Sequence, residues 1–425
     1  MNDVTAQTGS PELGSSTTSA ASAAAGDPPK KPAFPPPAAT PTELGPMDVR
    51  FDFNHGARVL LPQGNWRVMI SDDAAYNVLF DTRLKSGFVT STKKFFVPFK
   101  ITIWSGDDLI LEHRMELAGR RVLISLPVGT IGDTLGWFPY VLRFARQNGC
   151  TVTCAMAEWL IPLFQATNPE IICTTHEAVR TEDFYASYNI GLFFQDDGCT
   201  MQPTDFRFVG LHRTAAYILG ISPEEERPRL DIADDTRPIE EKYICIAVQA
   251  STHAKKWNNP HGWHDVVAFA KEQGYRVICI DKERVHGSGA MYTHIPHGVE
   301  DETGNRPLAE RARWLKHADA FIGVSSGLAW LAWSVDCPVV LVSGFTHPTN
   351  EFHTEGRVIN WHACNSCWND KDHLFDHKDY LWCPRHKGTD RQYECSRLIT
   401  GGQVKDALQR VLRTRPGKAP VREIG

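Results

Sequence analysis

Four cysteines near the C-terminus carry the most readable chemistry in the sequence. Cys364 and Cys367 form a C-x2-C pair, Cys383 follows after fifteen residues, and Cys395 after eleven more. Four thiolates in one short, polar, loop-rich stretch make a closed tetrahedral site for Zn2+ or iron. The stretch from Gly356 to Arg397 has little continuous apolar sequence, so a bound metal would supply folding energy that a core cannot. Thiolate chemistry alone selects zinc, one ion per chain. The alternatives are four unconnected thiols in a reducing compartment, or disulfides. Against disulfides, Cys245 and Cys279 sit inside apolar runs, as reduced core cysteines do. His353, His362, His373, His377 and His386 lie nearby in the chain, and one of them could replace a thiolate.

A second set of residues suits a nucleoside diphosphate. Gln249-Ala250-Ser251-Thr252 ends an apolar strand and is followed by Lys255, while the strand at 320–324 ends in Ser325-Ser326-Gly327 directly before a helix. Lysine offers a point charge, and hydroxyls with N–H groups at a helix start offer directed donors. Composition alone would make Lys255 a solvated surface charge; its place after a matching strand points it at a ligand. Asp281, at the end of another strand, is placed to hold a ribose or base or to cap the strand end. In the first half, Val128-Gly129-Thr130-Ile131-Gly132-Asp133 follows a strand. Its glycines let backbone approach a ligand at a helix N-terminus. By residue type alone, Asp133 reads as a cap or dipole partner of that helix.

These residues need a scaffold, and the rest of the sequence supplies one. Residues 1–46 are rich in Ala, Pro, Ser and Thr and read as a disordered tail. Residues 47–118 alternate short apolar segments with polar turns, the pattern of a small all-β barrel or sandwich suited to support or oligomerisation. From 119 to 236 the rhythm becomes βαβ: a strand at 121–126, a helix at 134–148, strands at 151–155, 171–173 and 188–194, then a helix at 206–219. The polar stretch 222–238 reads as a linker. A second βαβ series fills 237–345, the cysteine insert 346–400, and an amphipathic helix with a tail 401–425. Tandem βαβ domains place their sites at the carboxyl ends of parallel strands.

Composition narrows the function. A net charge of −5 over 425 residues lacks the basic field of a nucleic-acid protein. No apolar run approaches the roughly 18 residues of a membrane span. Met1-Asn2-Asp3-Val4 has neither the basic start nor the apolar core of a signal peptide, so a cytoplasmic location is expected. A zinc-ribbon regulator of nucleic acid fits the acidic balance poorly.

The tandem βαβ halves, Gly132-Asp133 with Pro139, and Lys255 with Ser325-Ser326-Gly327 resemble the GT-B heptosyltransferases. The β region, the segment Gln249-Ala250-Ser251-Thr252-His253-Ala254-Lys255-Lys256-Trp257-Asn258-Asn259, the run Asp379-Tyr380-Leu381-Trp382-Cys383-Pro384-Arg385-His386-Lys387 and the cysteine spacing resemble the bacterial autotransporter heptosyltransferases of the TibC type. The likeness runs from about residue 48 to the C-terminal helix. The Ala/Pro tail departs from it and is similar to the family's BimC variant, which is linked to a trimeric autotransporter. The resemblance implies an α/β GT-B enzyme with two Rossmann-like domains, moving heptose from ADP-heptose to Ser or Thr of an autotransporter passenger with inversion. It implies Asp133 as general base and Lys255 against the leaving diphosphate. Gly129, Thr130, Gly132, Gln249, Ser251, Thr252, Asp281, Ser325, Ser326 and Gly327 would line the substrates. It implies structural iron on Cys364, Cys367, Cys383 and Cys395, and assembly into a dodecamer. A second class of function is compatible with the same fold: a non-catalytic iron-binding partner that holds an autotransporter at one cell pole.

Overall fold

The computed structural model describes residues 33–127, 129, 131–289 and 291–414. Eight strands come first: β1 (Glu43–Leu44), β2 (Arg50–Asn54), β3 (Arg58–Leu61), β4 (Trp66–Asp72), β5 (Asn77–Leu84), β6 (Gly87–Thr90), β7 (Phe99–Ser105) and β8 (Asp108–Arg114). Strand β4 alternates as a half-buried strand should, with Trp66, Val68 and Ile70 inside and Arg67 and Met69 partly out. Strands β5-β4-β7-β8 make their own antiparallel sheet.

The remaining strands of this region join the next one. The first βαβ half contains β9 (Arg121–Ser125), α1 (Ile131–Asn148), β10 (Thr151–Ala155), β11 (Ile171–Thr174) and β12 (Ala186–Asn189). Its sheet runs β11-β10-β9-β12-β2-β3-β6, with β1 on β2. Strand β2 lies parallel to β12, Ala186 opposite Phe53, and is buried from Phe51 to Asn54. So the β region expected to stand apart at 47–118 shares a sheet with the Rossmann-like half. Asp52 allows this. It is fully buried, and Arg58 neutralises it at 2.6 Å, so a strand that alternates polar and apolar is covered on both faces.

Residues 33–46, read as part of the tail, also pack here. The Ala38 carbonyl accepts from Arg58 Nη1 at 2.6 Å and the Thr42 amide donates to Asp52 at 3.1 Å. The expected tail before residue 33 lies outside the described residues.

The helix expected at 206–219 is two: α2 (Phe206–Val209) and α3 (Leu211–Leu219). Gly210 separates them at φ 92°, and a Cβ there would lie 1.9 Å from the Thr349 carbonyl oxygen. The break is where the first half meets the second, a contact that only glycine permits. The expected strand at 188–194 ends at Asn189.

The second half runs β13 (Tyr243–Ala247), α4 (Gly262–Glu272), β14 (Arg276–Cys279), the hairpin β15 (Val285–Ser288) with β16 (Met291–His294), β17 (Glu300–Asp301), α5 (Leu308–His317), β18 (Phe321–Val324), α6 (Gly327–Ser334), β19 (Val339–Val342) and β20 (Gly356–Val358). Its sheet is parallel, ordered β17-β14-β13-β18-β19-β20. The order reverses between β13 and β18, the place where such sheets bind nucleotides. Residues 359–393 hold one short 3-10 turn, Cys367–Asn369, and no strand among the described residues. Then come α7 (Glu394–Arg397) and α8 (Gly401–Arg413). A Thr400–Gln403 capping box starts α8, and Val404, Leu408 and Val411 bury its apolar stripe in the core of the second half.

The stretch 222–238 straps the halves together. Arg143 of α1 donates to the Ser222 carbonyl at 2.7 Å, and Arg227 donates to the Trp333 carbonyl of α6 at 2.8 Å. Two facing Rossmann-like halves make the GT-B architecture. Among the described residues no helix is long and apolar enough to cross a membrane.

Candidate active site and metal centre

The two halves meet at the starts of α1 and α6. Both helices begin after the first or fourth strand of a Rossmann-like sheet, and each has a glycine in close contact at its start, Gly132 second in α1 and Gly327 first in α6. A Cβ at Gly132 would lie 2.8 Å from Trp330 Cδ1, and one at Gly327 would lie 2.9 Å from Ile131 Cβ. Two helix N-termini therefore point their exposed N–H groups and positive ends at one region, a setting for an anion. Asp133, half-buried, lies in the first turn of α1. Ser326 is the N-cap of α6 without a capping hydrogen bond, and its buried hydroxyl oxygen has no partner. Such an orphan is a place for a ligand acceptor or donor. Gly129 is exposed. Thr130, expected to orient substrate, lies outside the described residues.

Lys255 reaches the same region from the 3-10 turn His253–Lys255 after β13. Burial lowers its pKa, while the carboxylates of Asp133 and Glu351 oppose that and favour the ammonium. The ammonium lies over the rings of Phe345 and Trp368, 5.5 and 5.8 Å from their centroids. Glu351 is a member of this group that no motif marks in the sequence. It is buried, accepts from Arg357 Nη1 at 2.9 Å and from the Ser325 hydroxyl. A buried, paired carboxylate beside a lysine is legible only in three dimensions.

Other expected site residues serve the loop itself. The Thr252 hydroxyl donates to the Tyr380 carbonyl at 2.9 Å, as does the His253 amide at the same distance. Asp281 is buried beneath the end of β13, accepting from the Val248 amide at 2.7 Å and the Gln249 amide at 3.3 Å. Burial pushes its pKa up to about 6 against those hydrogen bonds. The Gln249 side chain donates to the Glu283 carbonyl, and Ser251 is exposed.

Cys364, Cys367, Cys383 and Cys395 all line one small cavity of about 20 Å³, with His386 and Glu394 on its wall. Donor atoms of Cys364, His386 and Glu394 lie within 4.8 Å of one another. Glu394 is already engaged, accepting from Arg391 at 2.6 Å and from the Cys364 amide at 3.0 Å. Burial, then the neighbouring thiols, pushes Cys367 and Cys395 up to about 12. A cation bound in the cavity would reverse that repulsion. Arg385 donates to Cys364 Sγ at 3.7 Å, a contact to a candidate ligand atom. Gly344 makes room, since a Cβ there would lie 2.8 Å from the Cys395 carbonyl carbon. The donor set fits a soft or borderline metal.

Residues 45–107 match the N-terminal domain of glycosyltransferase TibC, and residues 210–371 match glycosyltransferase family 9 (heptosyltransferase). The autotransporter heptosyltransferase BAHTCr of Citrobacter rodentium is 51% identical over 373 residues, covering 87% of this chain and 91% of its own. TibC of Escherichia coli O78:H11 is 49% identical over 377 residues, covering 88% and 92%. A crystal structure of dodecameric, iron-containing TibC in complex with ADP-D-β-D-heptose superposes with a TM-score of 0.86, over 89% of this chain and 99% of TibC's. BimC of Burkholderia thailandensis, described as an inactive autotransporter heptosyltransferase, is 44% identical over 384 residues, covering 90% and 89%. With half of its residues shared along nearly its whole folded length, and with the same fold, the chain belongs to the autotransporter heptosyltransferases.

Proposed function

We propose that this chain transfers heptose from ADP-heptose to Ser or Thr hydroxyls of an autotransporter passenger, with inversion at the anomeric carbon. The observation that carries this reading is that the start of α1, which bears Asp133, packs against the start of α6, where the buried Ser326 hydroxyl has no partner. In the step, the Asp133 carboxylate takes the hydroxyl proton as the oxygen bonds to the anomeric carbon. The bond from that carbon to the diphosphate oxygen breaks, and its electron pair leaves on ADP. Lys255, the N–H groups at the start of α6 and the Ser326 hydroxyl face the charge that develops on the diphosphate. Gly129 and Gly132 would offer backbone groups to the sugar.

Cys364, Cys367, Cys383 and Cys395 would hold one iron per chain. With four protein ligands its contribution is structural. The iron, the ADP-heptose and a dodecameric assembly are properties of TibC that this reading extends to the present chain. The location proposed is the cytoplasm, where the passenger is met before export.

The inactive BimC relative favours a second reading, a partner that binds an autotransporter at a cell pole without modifying it. One experiment separates the two: incubation with ADP-heptose and a passenger domain, followed by intact mass. Added heptose units support the enzyme. An unmodified passenger that remains bound supports the partner.

A further inference from the structure

We infer that Trp368 is a positioning residue that couples the cysteine insert to Lys255; the inference rests on the catalytic reading of Lys255. Trp368 directly follows Cys367 in the turn Cys367–Asn369. Its ring lies under the Lys255 ammonium at 5.8 Å, a cation–π arrangement. The indole N–H donates to Asn350 Oδ1 at 3.2 Å, and Asn350 directly precedes Glu351, which after Asp133 is the second carboxylate favouring the Lys255 charge. The backbone amide donates to the Phe345 carbonyl at 3.1 Å, and Phe345 is the other ring beneath Lys255.

The indole also meets the first half. Phe194 and Phe206 lie edge-on or tilted at 5.4 and 6.1 Å. One side chain thus touches the insert beside a thiol, the lysine of the second half and the aromatic wall of the first. An indole held by its N–H and by rings on several sides has no freedom to drift, so the ammonium above it has a fixed place. This arrangement gives the insert a part in the reaction: it holds the surface on which the lysine rests.

The test is Trp368→Leu and Trp368→Phe in the full-length protein, with metal content, kcat and KM for ADP-heptose measured on each, beside Lys255→Met. Trp368→Leu should keep its metal and lose roughly three- to thirtyfold in kcat, with a smaller change in KM, and Trp368→Phe should regain most of that loss. Wild-type kcat in Trp368→Leu overturns the inference. So does a fall in kcat that tracks metal loss across both variants, which would make the indole a packing residue alone. Wild-type turnover in Lys255→Met overturns the catalytic reading itself, a result distinct from either.

Discussion

Gly132 of the first half lies against Trp330 of the second, with 2.8 Å between the indole Cδ1 and the place a Cβ would take. The indole cannot retreat, because Phe352 and Trp333 pack on it at 5.0 and 5.6 Å. This contact sets how closely the starts of α1 and α6 approach, and hence where the first turn of α1, with Asp133, is held. Gly132→Ala should force the halves apart. Overpacking of this kind costs about 1–3 kcal/mol, and a misplaced base costs turnover as well. The expected result is a lower Tm with at least a tenfold fall in kcat. Unchanged values of both would mean that the contact has slack.

Asp133→Asn keeps shape and removes the proton acceptor. Loss of a general base lowers rates by roughly 10²–10⁴-fold. ADP-heptose binding, metal content and Tm should stay near wild type, because the side chain is half-buried at a helix start. Single-turnover mass spectrometry on a passenger checks the rate. Wild-type transfer by this variant removes Asp133 from the step.

The strand ends that carry the candidate residues were legible because βαβ periodicity marks them, and such ends are where ligands bind. Lys255 and Ser325-Ser326-Gly327 follow β13 and β18, on the two sides of the strand-order reversal. The four cysteines were legible from spacing. Glu351 was not, since its importance comes from Arg357, Ser325 and Lys255 around it. Nor was the merging of β2 into the first Rossmann-like sheet. Arg50-Phe51-Asp52-Phe53 alternates like a strand with one wet face, and only the Arg58 pair shows why Asp52 is buried. Gly210 sat unnoticed within a helical pattern because its reason, the Thr349 carbonyl, is 139 residues away in the chain.

Cys364→Ser should release the metal. Its sulfur sits in the cavity with three other thiols and accepts from Arg385. A serine hydroxyl in its place is a poorer ligand for zinc or iron. Elemental analysis should fall well below one metal per chain. Proteolysis should then reach the loop 359–393, which has little regular structure of its own. Full metal content in the variant would take Cys364 out of the ligand set and leave His386 as the donor to examine, since it lies on the same wall.

Asp281 makes stability depend on pH in a known direction. Its pKa rises from 3.8 to about 6, chiefly through burial. Between those values the folded chain holds a proton that the unfolded chain has released. Stability from this group therefore falls as pH rises through that window, and is level above it. From pH 4.5 to pH 7 the loss is roughly 2 kcal/mol. Asp281→Asn cannot ionise, so its own loss over this range should be smaller by that amount. Urea unfolding of both proteins at the two pH values measures it, and an equal difference between them at each pH would show that Asp281 does not bind the proton. The carboxylate still holds the Val248 and Gln249 amides. Asparagine offers one acceptor oxygen where the two amides each bond a separate oxygen, so the variant should also loosen the loop that carries Lys255 and raise KM for ADP-heptose.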